Sequence, residues 1–211
     1  MKLVLASNNA KKLAELQLLF EGLAVELVAQ GVLGVAEAEE PHASFVENAL
    51  AKARHAARAS GMAAIADDSG LCVDALGGAP GVHSAVYAPA PAVEGDRETQ
   101  RLAQDAANNA LLLARMDGRA DRRCRFVCTL VALRHADDPE PLIAFGRWEA
   151  TLLDAPRGQG GFGYDPLVWI EAFGASVAEL DTNTKNRASH RALAAAQMRV
   201  LMRQAWHLGS S

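Results

Sequence analysis

"KLVLASNNAKKLAELQLLFEG", residues 2–22, changes structural period within a few residues. Residues 2–6 form a short apolar run suited to a buried strand, whereas Leu13, Leu16, Leu19 and Phe20 return at helical spacing on one face. Gly22 is the stop signal for that helix. A strand that turns directly into a helix is the building unit of an α/β sheet, and the following residues repeat the alternation.

"VELVAQ", residues 25–30, reads as a second strand, followed by a loop carrying Glu37, Glu39 and Glu40. Ser44 and Glu47 have capping-box spacing for a helix that runs to about Ser60, with Gly61 as its stop. "AAIAD", residues 63–67, is another buried strand and ends at "DSG". Residues 77–96 are rich in Gly, Pro and Ala without periodicity, which predicts an ordered loop or a hinge. A helix from about Arg97 to Met116 comes next. "CRFVCTLVALRHA" and "PLIAFGRWEATLLD" then read as two long strands, antiparallel across a turn containing Pro139. Ser189 opens a last helix through "HRALAAAQMRVLMRQAW". The expected architecture is an α/β fold. It is a single domain over residues 1–211 in two lobes, with a mixed sheet, flanking helices and a central cleft for a ligand.

Composition narrows the partners. Half of the 211 residues are apolar, enough for a substantial core, and the longest apolar runs fall well short of the ~20 residues of a membrane span. The formal charge is −4, with no run of basic residues to neutralise a phosphate backbone, so neither a nucleic acid nor a membrane is expected as partner. Cys72, Cys124 and Cys128 lack CxxC spacing and cannot all pair, which fits buried free thiols in the cytoplasm. Arg outnumbers Lys 16 to 5, yet Lys12, Lys52 and Lys185 lie inside the motifs, where a compact cation suits a triphosphate.

Four stretches carry chemistry. "SNNAKK", residues 7–12, places polar side chains and backbone N–H groups at a helix start with Lys12 on the first turn. That arrangement can hold an anion, although GxxxxGK is absent; the alternative is ordinary capping by Asn9. "ADDSG", residues 66–70, ends a buried strand with two carboxylates, at least one of which needs a polar site or a cation. Mg²⁺ suits it, taking one or two carboxylates plus phosphate oxygens, with Glu40 available as a second ligand; an Asp pair capping a turn is the alternative. "PRGQGGFGYDP", residues 156–166, combines glycines that allow close approach with aromatic faces that can stack on a planar heterocycle; a surface turn with a buried Phe is the plainer reading. "TKNRASHR", residues 184–191, gathers Lys185, His190 and Arg191 at a helix start, able to meet phosphate or a base edge, or to form a solvated helix face.

In order and spacing, "SNNAKK", "SFVENALAKA", "ADDSGL", "GGAPGVHSA", "GGFGYDP" and "TKNRASHR" resemble the Ham1-like inosine/xanthosine triphosphate pyrophosphatase family nearly end to end. Its first motif, Ser/Thr-x-Asn-x-x-Lys, is met by Ser7, Asn9 and Lys12. The resemblance implies a cytoplasmic homodimer that uses Mg²⁺ to convert dITP, ITP and XTP to the monophosphate and pyrophosphate. By position, Asp68 resembles the proton acceptor and, with Glu40, the metal ligands. Ser7, Asn8, Asn9, Ala10, Lys11 and Lys12 resemble the triphosphate cradle, with Ser69 beside it. Phe162, Gly163, Tyr164 and Asp165 resemble the base-binding block, and Lys185, His190 and Arg191 the remaining nucleotide contacts. Val86 departs from the Arg that many relatives place after "SA", and the Pro-rich "APAPAVEG" after it is unlike the family's polar segment, so altered affinity is expected. A nucleotide-binding sensor without catalysis and a Maf-like pyrophosphatase with other substrates are the rival readings. Carboxylates beside a metal argue against the first, and a substrate panel separates the second.

Overall fold

The computed structural model describes residues 1–209. Its one sheet has seven strands: β1 (Lys2–Leu5), β2 (Glu26–Ala29), β3 (Ala64–Val73), β4 (Arg123–Leu133), β5 (Leu142–Leu152), β6 (Val168–Ile170) and β7 (Ala175–Ser176). They are ordered β2-β1-β3-β4-β5-β6-β7. The sheet is mixed, since β1 pairs in parallel with β2 and β3, while β6 is antiparallel to β5 and β7. The helices are α1 (Ala10–Leu19), α2 (Phe45–Ser60), α3 (Arg97–Met116), α4 (Thr182–Ala188) and α5 (His190–Ala205). No described helix is long and apolar enough to cross a membrane.

The chain divides into two compact units. The first comprises Met1–Asp68, Cys128–Arg147 and the chain from Asn186 on; the second comprises Ser69–Val127 and Trp148–Lys185. In the first unit both faces of the sheet are covered. Leu3, Leu5, Ile65, Leu130 and Ala132 share a core with Leu16 and Phe20 near α1 and with Ala194, Ala195, Met198 and Met202 of α5. Val4, Ala6, Ala64, Ala66, Val131 and Leu133 share another with Ala49, Ala53, Ala56 and Ala57 of α2. Odd and even residues of β1 and β3 thus face different helices, as the two-residue period of a strand dictates.

Local chemistry explains most helix ends. Asn9 caps α1, Ser44 caps α2, Asp96 caps α3 and Ser189 caps α5, each by accepting from backbone N–H groups of the first turn. At α2 the box is half-formed: Ser44 Oγ accepts from Glu47 N and itself donates to the Glu47 carboxylate. Gly61 closes that helix with φ 67°. Three expectations needed correction. β3 does not stop at Asp67 but continues through "DSG" to Val73. The segment 77–96 is not wholly irregular, because Gly81–Val86 winds into a 3-10 helix. Two short strands, β6 and β7, and the seven-residue α4 are additional, since stretches of two to seven residues show too little periodicity to register.

Gly146 of β5 sets the approach of α5. A Cβ at this position would lie 1.8 Å from the His190 carbonyl oxygen and 2.8 Å from Ala194 N, both backbone atoms of α5. Neither can yield without moving the helix start. Gly146→Ala should therefore destabilise the protein by ~1–3 kcal/mol or more through overpacking, whereas a neutral effect in urea unfolding would mean that α5 can shift freely.

Candidate active site

Strand alternation sorts the two aspartates of β3. Ile65 belongs to the core that includes α1 and α5, while Ala64 and Ala66 belong to the core that includes α2. Asp67 follows the odd residues and Asp68 the even ones, so adjacent carboxylates enter different environments.

Asp67 is a clasp. Its carboxylate accepts from Lys12 Nζ at 2.6 Å, from Arg191 Nε at 2.9 Å and from Cys128 Sγ at 3.3 Å. Arg191, only 2% exposed, also donates through Nη1 to Glu15 of α1. Burial would raise the Asp67 pKa, but the Arg191 guanidinium and the Lys12 ammonium together hold it well below the usual carboxylate range. Burial likewise works against the Arg191 charge, and Asp67 and Glu15 overcome it. One ion cluster thus ties β3, α1 and α5 together.

Asp68 is the reverse case. Its Oδ1 accepts from Lys52 Nζ of α2 at 2.8 Å, and the same ammonium lies 3.2 Å from Glu40 Oε1 in the acidic loop. Its Oδ2 is buried without a partner among the described residues. Burial is the largest influence and raises the Asp68 pKa; Lys52 lowers it and Glu40 raises it again, leaving it at about 6. Lys52 pays for its own burial through the same contacts: desolvation lowers its pKa, but Asp68 and Glu40 bring it above the usual value. No group of three or more His, Cys, Asp and Glu among the described residues could hold a metal. A cation at Glu40 and Asp68 would therefore have two protein carboxylates, with its other positions left to water and phosphate oxygens, and the unpartnered Oδ2 fits that demand.

The start of α1 is already well bonded. Asn9 Oδ1 accepts from the N–H groups of Lys11 and Lys12, and Ser7 Oγ accepts from Asn9 N. Asn8 Nδ2 donates to Glu37 at 3.1 Å and so links the turn to the acidic loop. Ala10 and Lys11 are exposed. His190 is buried at the first position of α5, beside Arg191.

In the second unit, "FGYD" folds around its own carboxylate. Asp165, 3% exposed, accepts from Phe162 N at 2.9 Å and from Lys185 Nζ at 2.7 Å. Gly161 has φ 73°, and a Cβ there would lie 2.1 Å from Asp165 Oδ2, so conformation and space both demand glycine. The Lys185 ammonium sits 4.6 Å from the centre of the Phe162 ring and covers one of its faces. Tyr164 donates its hydroxyl to Ser84 O, and burial pushes its pKa up. Ser69 is half-buried in β3 directly after Asp68, and Val86 is exposed.

The structure therefore brings Lys12 and Arg191 to Asp67, Glu40 to Asp68 through Lys52, and Lys185 to Phe162 and Asp165. Reading the motifs one at a time left out the partners Glu15 and Asp67 and gave Lys52 no defined place. The signal for Asp67 was present, because alternation through "AIADD" assigns the two aspartates to opposite faces.

Residues 3–201 match the Ham1 family pattern. The chain belongs to the Ham1 family. It is 70% identical over 206 residues to a dITP/XTP pyrophosphatase of Methylibium petroleiphilum, covering 98% of this chain and 99% of that protein. It is 68% identical over 211 residues to a dITP/XTP pyrophosphatase of Leptothrix cholodnii, covering 99% of this chain and all of that one. Among solved structures, a HAM1 protein from Coxiella burnetii superposes with a TM-score of 0.86 at 39% identity, over 97% of this chain and 100% of that one. These Ham1 relatives extend over nearly the whole chain, so each motif of the site lies inside the shared fold.

The Asp68 pKa has a direct test in the metal-free protein. Because its folded value of about 6 exceeds the usual 3.8, protonated Asp68 favours the fold. That contribution is complete below 3.8 and is lost as pH rises through about 6. Carboxyl-carbon NMR should show Asp68 half-titrated near pH 6, and Lys52→Met, which removes the cation that lowers it, should move the midpoint upward. A midpoint near 4 in both proteins would contradict the assignment.

Proposed function

We propose that this chain is a Mg²⁺-dependent pyrophosphohydrolase that converts dITP, ITP and XTP to the nucleoside monophosphate and pyrophosphate, removing deaminated purine nucleotides from the pool. Relatives that share 70% and 68% of their residues with it across nearly their whole length carry the name dITP/XTP pyrophosphatase. The observation that carries the chemistry is Asp68, a buried carboxylate with one oxygen on Lys52, the other without a partner, and a pKa of about 6. A group with that pKa is largely ionised at neutral pH yet remains a useful proton acceptor.

In this reading Asp68 accepts the proton of the attacking water. Lys52 holds the carboxylate in place and keeps it charged, and with Lys12 it opposes negative charge growing on the pyrophosphate leaving group. Bound Mg²⁺, held by Glu40 and Asp68, would supply further charge neutralisation on the phosphate oxygens. Ser7, Asn8, Asn9, Ala10, Lys11 and Lys12 serve as the triphosphate cradle, with Ser69 beside them. Asn9 keeps its capping role, so the cradle's shape is set before nucleotide arrives.

Phe162 offers the base the ring face that Lys185 does not cover. Gly163, Tyr164 and Asp165 hold that ring in place. His190 is the side chain assigned to the 6-keto edge. Arg191, already bonded to Asp67 and Glu15, contributes by fixing the start of α5 beside it. The reading includes a cytoplasmic homodimer, and three buried free thiols suit a reducing compartment.

Release of pyrophosphate from dITP, XTP and ATP tests the whole reading. The first two should be preferred over ATP by orders of magnitude, because the adenine amino group would set donor against donor. Asp68→Asn should lower kcat by ~10²-fold or more while nucleotide binding persists. Equal turnover of ATP, or near wild-type kcat in a folded Asp68→Asn protein, would overturn it.

A further inference from the structure

Helix α3 carries four polar side chains, Gln104, Asp105, Asn108 and Asn109, that the chemistry above does not use. Gln104 and Asn108 are neighbours at i,i+4, as are Asp105 and Asn109, so the two pairs make adjacent stripes on one side of the helix. The first pair secures residues 84–88. Asn108 Nδ2 donates to Ser84 O and Ala85 O, its Oδ1 accepts from Ala88 N at 2.8 Å, and Gln104 Nε2 donates to Ala88 O. Asn108 is buried, and its amide bonds to backbone and, through Oδ1, to Gln104 Nε2.

The second pair grips one residue of the aromatic loop. Asp105 Oδ2 accepts from Gly163 N at 3.0 Å, and Asn109 Nδ2 donates to Gly163 O at 3.0 Å. Gly163 has φ 62°, and a Cβ there would meet nothing within 4 Å. The glycine therefore answers a conformational need and not a lack of space. Glycine is also the residue least able to hold one conformation by itself, so the left-handed turn between Phe162 and Tyr164 requires an external restraint. Both of its backbone polar groups receive one from the same helix. The Asn109 amide cannot turn over without facing Oδ1 against the Gly163 carbonyl, and in its present orientation Oδ1 is buried without a partner among the described residues. Keeping a buried acceptor unsatisfied is costly, and the bond to Gly163 is what the arrangement gains.

We propose that Asp105 and Asn109 are positioning residues for the base-binding loop: held at both its N–H and its C=O by α3, Gly163 fixes the ring of Phe162 and the carboxylate of Asp165 for the purine. This rests on the reading that Phe162 stacks on the base. Residues 162 to 165 then act as a rigid platform set before substrate arrives. Loss of either grip weakens base binding and leaves the phosphate chemistry alone.

Asn109→Asp keeps shape and replaces the donor with an acceptor, Asp105→Ala removes the acceptor, and Asp105→Asn retains an acceptor oxygen. Amide hydrogen exchange over residues 160–167, read on the intact protein, should speed up ~10-fold or more in Asn109→Asp and Asp105→Ala, with Asp105→Asn closer to wild type and the global melting point little changed. In the same two variants KM for dITP should rise ~10-fold with kcat within about threefold, and inhibition by inorganic pyrophosphate, which has no base, should be unchanged. Unchanged exchange overturns the proposal, as does a loss of kcat and of pyrophosphate inhibition in step with KM. Phe162→Ala separates the two levels. If it leaves KM for dITP unaltered while Asn109→Asp still accelerates exchange, α3 holds the loop and the stacking reading falls; if it raises KM while Asn109→Asp changes neither quantity, stacking stands and the α3 grip falls.

Discussion

Successive residues of a strand leave it on opposite sides, and in β3 that rule parts two aspartates written next to each other. Asp67 goes to the side of α1 and α5, where Lys12 and Arg191 meet it, and Asp68 goes to the side of α2, where Lys52 meets it. Had both carboxylates entered one environment, their repulsion would have forced one to stay protonated or the strand to bulge. Separation lets one be fully compensated and the other only partly. The fully compensated one joins three elements of the fold, and the partly compensated one keeps one oxygen without a partner among the described residues.

That division also explains the placing of the cations. Lys12 and Arg191 belong to motifs that look like ligand-binding sequences, yet each is bonded to Asp67, and Arg191 is among the most deeply buried large side chains. A long cation gripped by a buried carboxylate loses most of its rotamer freedom and pins that carboxylate in return. Lys52 does the same for Asp68 and Glu40. In the second unit Lys185 is fixed by Asp165 against the face of Phe162, so the aromatic loop too is held by a charge pair.

Much of this was legible in the sequence because strong local signals agreed. The periodicity of residues 10–19, the caps Ser44 and Ser189, and the alternation along β4 and β5 each indicated their element. β6, β7 and α4 were not legible, since elements that short owe their existence to neighbours far along the chain. The same reason hid the pairing of the charges: Arg191 and Asp67 are 124 positions apart, and only the packing of α5 onto the sheet, made possible by Gly146, brings them together. The continuation of β3 through "DSG" was missed because a polar, Gly-containing triplet reads as a turn. In the structure the triplet lies inside β3, which runs on to Val73.

The central claim is that adjacent aspartates have opposite duties, and metal-free urea unfolding at pH 7.5 tests it most directly. Asp67→Asn breaks a buried, multiply bonded ion cluster and should cost ~3–5 kcal/mol. Asp68→Asn removes a carboxylate that is only partly compensated above pH about 6, and should leave stability within ~1 kcal/mol of wild type or raise it. Equal losses in the two variants, or a larger loss at Asp68, would contradict the account.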